Sequence, residues 1–195
     1  MIPAYLANLQ LDKVFAVYCN NVDQYIQEST SDEHIVDSKV KRISGFATVA
    51  FGAEENDAKE IFSVENPTKS PFSLLQIDNG IIKKKVGPAT KKCDCAIANN
   101  SSLCFIEFKT KACSNIISTI EKNYRRAIEQ LTATIGIFDS FHKSQGVDFR
   151  TLRAVEAYIC FRNGYPRNTS SQMNYQVSFA KNNRIPLSFI RKKVL

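Results

Sequence analysis

The sequence predicts a mixed α/β (α+β) fold in which a central mixed sheet is flanked by helices. Two short apolar runs, CDCAIA and LCFIEFK, are joined by the polar segment NNSS, which is typical of two antiparallel strands. A long segment with helical apolar spacing follows them. A near-continuous apolar run, AVEAYICFRN, then indicates a central strand covered on both faces. Strands that alternate with helices favour a sheet with helices on its faces.

The strands before residue 110 are expected to form a meander. In SPFSLLQIDNGIIKKKVG, two apolar runs surround Asn79-Gly80, a pair that favours a tight β-hairpin. CDCAIA and LCFIEFK then add two further strands. The predicted meander therefore has three or four strands.

The clearest predicted helix begins near Ser114 and ends at about Gly136. Its apolar side chains recur at helical spacing and would pack on the sheet, while Gln130 and Asn123 fall at the border of the apolar face. The predicted apolar face contains Ile116, Ile117, Ile120, Tyr124, Ala127, Ile128, Leu131 and Ile135.

The remaining segments complete the predicted order of elements. Residues 1–60 are expected to be a mainly helical N-terminal extension, and residues 61–195 the core of the fold. After a polar stretch at 139–150 and the AVEAYICFRN strand, a helix is expected in NTSSQMNYQVSFAKNN, with Met173, Val177 and Ala180 at helical spacing. IPLSFIRKK would form the last strand.

Composition narrows the class of protein. The 195 residues are 44% hydrophobic and 23% charged, which is typical of a globular domain. The formal net charge of +7 favours polyanionic partners such as nucleic acid. Because no run of eighteen apolar residues and no signal-peptide pattern is present, we expect a cytoplasmic protein without a membrane partner.

The cysteines are expected to be reduced core residues. Cys93-x-Cys95 does not have the spacing of the usual zinc knuckle, so zinc is not the expected metal. The six cysteines are Cys19, Cys93, Cys95, Cys104, Cys113 and Cys160.

Three charged residues lie within the two apolar strands, where burial without a partner is costly. Side chains alternate along a strand, so Glu107 and Lys109 share one face. The four-residue turn after CDCAIA can bring Asp94 beside Glu107. Two neighbouring carboxylates repel each other, and a divalent cation removes that conflict. The expected cofactor is Mg²⁺ (or Mn²⁺), held by Asp94 and Glu107 with the backbone carbonyl of Phe108 as a third candidate ligand.

The pattern of Asp94, twelve intervening residues, Glu107-Phe108-Lys109 and a following helix with Gln130 resembles the PD-(D/E)xK nuclease superfamily, which has the restriction-endonuclease-like fold. The resemblance covers roughly residues 61–195. It implies that Asp94 and Glu107 bind the metal, that Lys109 assists the attacking water or the transition state, and that Gln130 lies near the site. It also implies a metal-dependent phosphodiesterase that hydrolyses DNA, with RNA left open. A homodimer is compatible with it, because many members dimerise.

Two positions depart from the family pattern. Cys93 stands where many members have proline. The acidic residue that many members carry on a preceding helix has no single counterpart here. Four residues are open for that role: Glu54, Glu55, Glu60 and Glu65.

Lysines flank the predicted site and could contact the backbone of a nucleic acid. They are Lys83, Lys84, Lys85, Lys91 and Lys92. Two alternatives to a nuclease stay open. One is a catalytically inactive protein of the same fold that binds nucleic acid or another protein. The other is an α/β interaction protein in which Glu107 and Lys109 are incidental charges of an edge strand.

Overall fold

The computed structural model describes residues 1–37, 49–52, 61–83, 91–109, 116–161 and 169–195. Within these ranges the chain forms three α-helices and two mixed sheets. The strands are β1 (Ile26–Ser29), β2 (Glu33–Asp37), β3 (Val49–Gly52), β4 (Ile61–Glu65), β5 (Phe72–Gln76), β6 (Cys95–Asn99), β7 (Ser102–Lys109), β8 (Ala154–Phe161), β9 (Leu187–Ser188) and β10 (Lys192–Val194). The helices are α1 (Leu11–Val14), α2 (Ile117–Ser144) and α3 (Thr169–Asn183), with 3₁₀ turns at Ala4–Leu9, Val22–Tyr25 and Phe149–Thr151.

The larger sheet has six strands in the order β1-β5-β6-β7-β8-β9. Strands β1, β5, β6 and β7 pair antiparallel, whereas β7, β8 and β9 pair parallel. The smaller sheet has the order β10-β4-β2-β3 and combines antiparallel pairs with the parallel β10–β4 pair. The predicted mixed α/β architecture is therefore confirmed.

Each face of the larger sheet is covered by a different layer. Phe105 and Ile159 point into a core shared with α2, α3 and the N-terminal helices. Ile106 and Cys160 point into a second core, which the smaller sheet closes with residues such as Phe62. This alternation along β7 confirms that Glu107 lies on the face that packs against α2.

The predicted helix is longer than its sequence pattern indicated. Helix α2 continues beyond Gly136 to Ser144, and Ile116 and Ile117 are exposed instead of lying on its apolar face. A glycine inside a helix costs only about 1 kcal/mol relative to alanine. Burial of the Phe138 side chain, worth about 1.5–3 kcal/mol, outweighs that cost.

The hairpin predicted at Asn79-Gly80 is wrong. Strand β5 pairs with β1 and β6, and Ile82 makes only an isolated bridge with Asp78. The chain instead closes a compact turn, because the N–H of Ile81 donates to the carbonyl of Gln76 at 2.9 Å. Asn79 has the positive φ of 58° that the pair suggested. The segment from Lys84 to residue 90 lies outside the described residues.

The N-terminal 60 residues are not mainly helical where they are described. Only short helical turns precede β1, and β2 and β3 follow it. Strand β1 pairs with β5 of the larger sheet, and the buried side chains of Leu6 and Leu9 belong to the same core as α2. A domain boundary at residue 60 stays a prediction.

The C-terminal elements differ in detail from the expected ones. Helix α3 forms as predicted, but Met173 and Val177 are exposed and Phe179 is buried. The expected last strand is divided into β9 and β10, which belong to different sheets. Of the helices described, none combines the length and apolar character needed to cross a membrane.

The described cysteines are free thiols, and four of them are buried in the two cores: Cys93, Cys95, Cys104 and Cys160. Burial raises the pKa of all four thiols above its ordinary value. The predicted core position of these four cysteines is therefore confirmed, Cys19 is only partly buried, and the reduced state stays a prediction. Cys113 lies outside the described residues.

Candidate active site

Strands β6 and β7 bring Asp94 next to Glu107. The antiparallel register pairs Cys95 with Ile106, and one further step along both strands puts Asp94 opposite Glu107. The backbone N–H of Phe108 donates to Oδ2 of Asp94 at 2.6 Å. This bond fixes the Asp94 carboxylate at the end of the strand pair, on the face where Glu107 lies.

Glu107 is a buried carboxyl group that lacks a full set of partners. Its side chain is 1% exposed, and its Oε2 atom has no hydrogen-bond partner among the described residues. Burial and the neighbouring charge of Asp94 raise the pKa of the Glu107 carboxyl well above its ordinary value, and Lys109 only partly opposes them. One oxygen of the buried Glu107 carboxyl therefore contacts Lys109, while the other is without a hydrogen-bond partner in the described part of the chain.

Lys109 lies between Glu107 and helix α2. Its Nζ atom donates to Oε1 of Glu107 and to Oε1 of Gln130, the latter at 2.6 Å. Gln130 in turn donates from Nε2 to the backbone carbonyl of Lys92 at 3.0 Å. The structure thus brings Asp94, Glu107, Lys109 and Gln130 into one connected group.

Helix α2 is tied to the start of β6 by a second contact. The backbone N–H of Cys93 donates to Oγ1 of Thr134 at 2.9 Å, and that hydroxyl donates to the carbonyl of Gln130 at 3.2 Å. Thr134 is fully buried. These bonds fix the helical turn that carries Gln130 against the strand that begins at Asp94.

Asp78 and Lys92 form a supporting ion pair that the sequence did not reveal. Nζ of Lys92 lies 3.2 Å from Oδ1 of Asp78, and the Lys92 side chain is 9% exposed. The N–H groups of Ile77 and Asp78 both donate to the backbone carbonyl of Asp94, at 3.1 and 3.0 Å. The turn after β5 therefore holds the backbone of Asp94 and the side chain of Lys92. The sequence indicated a turn at Asp78-Asn79-Gly80. It did not indicate that this turn would contact Lys92 and the backbone of Asp94.

The lysines predicted to contact nucleic acid have different surroundings. Lys92 is directed at Asp78 instead of at solvent. Lys91 is exposed and pairs with Glu129 at 2.9 Å. Lys83 is exposed and lies over the ring of Tyr25, 5.3 Å from its centroid. Lys84 and Lys85 lie outside the described residues, and the nucleic-acid role of this group stays a prediction.

One of the four glutamates considered for the role of the upstream acidic residue is excluded by its position. Glu65 lies on β4 of the smaller sheet and pairs with Lys192 at 2.5 Å. That sheet covers the face opposite Glu107, so Glu65 is directed away from the site. Glu54, Glu55 and Glu60 lie outside the described residues.

The described side chains fit a magnesium ion better than zinc. In the described part of the chain, no group of three or more His, Cys, Asp and Glu side chains is placed to hold a metal ion. Structural zinc needs four ligands, whereas Mg²⁺ usually takes one or two carboxylates and fills its remaining positions with water or phosphate. Asp94 and Glu107 supply two carboxylates, and the unpartnered Oε2 of Glu107 offers a buried oxygen.

Comparisons of the chain with protein-family models, with curated proteins and with solved structures found no match.

Proposed function

We propose that the protein is a Mg²⁺-dependent nuclease that hydrolyses phosphodiester bonds. The observation that supports the proposal most is the buried Glu107 carboxyl, with an unpartnered oxygen, beside Asp94 and in contact with Lys109. A protein that only needed a stable strand would gain nothing from this arrangement, because apolar residues at the same positions avoid the cost of burying charge.

Each residue of the site has a distinct task in this proposal. Asp94 and Glu107 would hold the cation, with the backbone carbonyl of Phe108 as a third candidate ligand. The bound Mg²⁺ would supply Lewis-acid activation of a phosphate oxygen and lower the pKa of a water molecule. Lys109 stabilises negative charge that develops on the phosphate, because its ammonium is directed into the same site. Gln130 orients that ammonium through its Oε1 atom.

Surface charge supports a polyanionic substrate. Lys122, Arg125 and Arg126 are exposed on the outer face of α2, the helix that also carries Gln130. Together with the net charge of +7, they give this side of the protein cations that can contact phosphates without reading base sequence. DNA is the expected substrate, and RNA is tested alongside it.

The test is degradation of plasmid DNA and of RNA with Mg²⁺ or Mn²⁺, compared with a sample containing a chelator. The wild-type protein should cleave at least one substrate only when the metal is present, and Glu107→Gln and Lys109→Ala should not. Lys143→Ala and Asp12→Asn are matched controls, because both residues are exposed and Lys143 lies more than three helical turns beyond Gln130 on α2. Metal-independent cleavage, or full activity of Glu107→Gln, would refute the proposal.

The alternative of a catalytically inactive protein with the same fold predicts a different result. It would bind DNA or RNA without turnover, and its affinity would fall with salt because phosphate contacts release counterions. Binding with no cleavage under every metal condition would favour that alternative over the nuclease.

A further inference from the structure

The ammonium of Lys109 is hydrogen-bonded to the Glu107 carboxylate, which the proposed function assigns as a metal ligand. Its Nζ atom contacts Oε1 of Glu107, and its side chain is only 16% exposed. A charge-assisted hydrogen bond of this kind is stronger than a neutral one, and burial strengthens it further. Glu107 therefore already has an internal cation as its partner.

Gln130 gives the same ammonium a second acceptor that does not depend on Glu107. Its Nε2 atom donates to the carbonyl of Lys92, so its Oε1 atom is directed at Lys109. Lys92 is itself fixed by the ion pair with Asp78. The acceptor is therefore held in place by the start of β6 and by the turn after β5, independently of the Glu107 carboxylate.

We propose that Lys109 is a resident counter-ion that a divalent cation must displace from Glu107, and that Gln130 retains the ammonium after the displacement. The inference rests on the proposed metal site and adds its regulation. A divalent cation on Oε2 of Glu107 and the Lys109 ammonium on Oε1 would be held by one carboxylate and would repel each other strongly. The hydrogen bond from Lys109 to Glu107 breaks when the metal binds, whereas the bond to Gln130 remains, so no proton transfer is required.

This arrangement makes Lys109 a determinant of metal affinity as well as of the reaction. Removing the ammonium should tighten metal binding, because the metal no longer competes with it. Removing the acceptor on Gln130 should weaken metal binding, because the displaced ammonium then has no polar group to receive it. The two substitutions therefore have opposite predicted signs, which a general loss of structure cannot produce.

The test is calorimetric titration of the full chain with Mn²⁺, at one pH and one ionic strength. Lys109→Met should bind Mn²⁺ about tenfold tighter than wild type, the change expected from losing one charge-assisted hydrogen bond at the ligand. Lys143→Met is the matched control: it removes one positive charge from an exposed ion pair with Asp139 and should leave the affinity unchanged.

Gln130→Leu should bind Mn²⁺ several-fold more weakly than wild type. In the double variant with Lys109→Met, the Gln130 substitution should have no further effect, because no ammonium remains to be received. If Gln130 only stabilised the structure, Gln130→Leu would instead weaken Mn²⁺ binding equally in wild type and in Lys109→Met. This double-mutant cycle compares the Mn²⁺ affinities of folded proteins. It therefore remains informative if either single variant is less stable than wild type.

The outcomes separate this inference from the proposed function. If Glu107→Gln abolishes Mn²⁺ binding but Lys109→Met binds no tighter than wild type, the counter-ion role is wrong and the metal site stands. If Glu107→Gln and wild type behave alike in the titration, or if neither wild type nor Lys109→Met binds Mn²⁺, the metal site itself is wrong.

Discussion

The backbone N–H of Phe108 donates to the Asp94 side chain at 2.6 Å, at the point where the pairing of β6 and β7 ends. The carboxylate thus takes the place of a backbone acceptor. This bond accounts for the position of Asp94 next to Glu107 before any ligand is considered, since it orients the side chain toward β7. Asp94 therefore has a structural task and a proposed chemical one.

Substitution of Asp94 should separate these two tasks. Asp94→Asn keeps an oxygen that can accept from Phe108, whereas Asp94→Ala leaves that N–H without this acceptor. We expect the alanine variant to be about 1–2 kcal/mol less stable than the asparagine variant in urea unfolding. Both variants should lose metal-dependent cleavage. Equal stability of the two would show that the Phe108 bond does not hold the site together.

The raised pKa of Glu107 predicts a pH dependence of stability with a definite sign. Between its ordinary pKa of 4.5 and its higher value in the folded state, the native protein binds more protons than the unfolded chain. Glu107 therefore makes its whole contribution to the free energy of unfolding at a pH below its ordinary pKa. This contribution is lost as the pH rises through the pKa of Glu107 in the folded state.

Glu107→Gln lacks this titration and serves as the reference. The difference in unfolding free energy between wild type and Glu107→Gln should fall as the pH rises above 4.5, in metal-free buffer. Groups with lowered pKa values, such as Asp139 and Asp148, have the opposite dependence but cancel in the difference. A difference that rises with pH would mean that the folded protein stabilises the Glu107 carboxylate.

Gly80 should be required by the turn that supports Asp94. A Cβ atom at Gly80 would lie 2.2 Å from the backbone oxygen of Gln76. We expect Gly80→Ala to lower the free energy of unfolding by about 2 kcal/mol or more, because backbone atoms must move. Metal affinity should fall with it, since Ile77 and Asp78 hold the Asp94 carbonyl.

Gly136→Ala is the matched control for this substitution. A Cβ atom at Gly136 meets no atom within 4 Å, and the position lies inside α2. Alanine there should raise the free energy of unfolding by about 0.5–1 kcal/mol. If Gly80→Ala were as stable as wild type, the turn would not support the site through a close backbone approach.

The sequence predicted those parts of the site that depend on local geometry. The two-residue period of a strand places Glu107 and Lys109 on one face, and a short turn brings Asp94 to them. The period of 3.6 residues per helical turn places Gln130 at the border of the apolar face. All three relationships involve neighbours within one element or across one short connection.

Relationships between distant segments could not be predicted in the same way. The pairing of β1 with β5 and the ion pair of Asp78 with Lys92 depend on tertiary packing that local patterns do not encode. The pair Asn79-Gly80 locally favoured a hairpin, yet β5 pairs with β1 and β6 instead of with the segment that follows the turn. Helix α2 likewise passes Gly136 because Phe138 packs on Phe15, Phe105 and Phe149.

The most direct test of the account is the anomalous scattering of manganese in crystals soaked with Mn²⁺. We predict a peak at coordination distance from carboxylate oxygens of both Asp94 and Glu107, with Nζ of Lys109 withdrawn from Glu107 and still bonded to Gln130. A map with ordered Asp94 and Glu107 side chains but no peak between them would contradict the metal site and the nuclease function that depends on it.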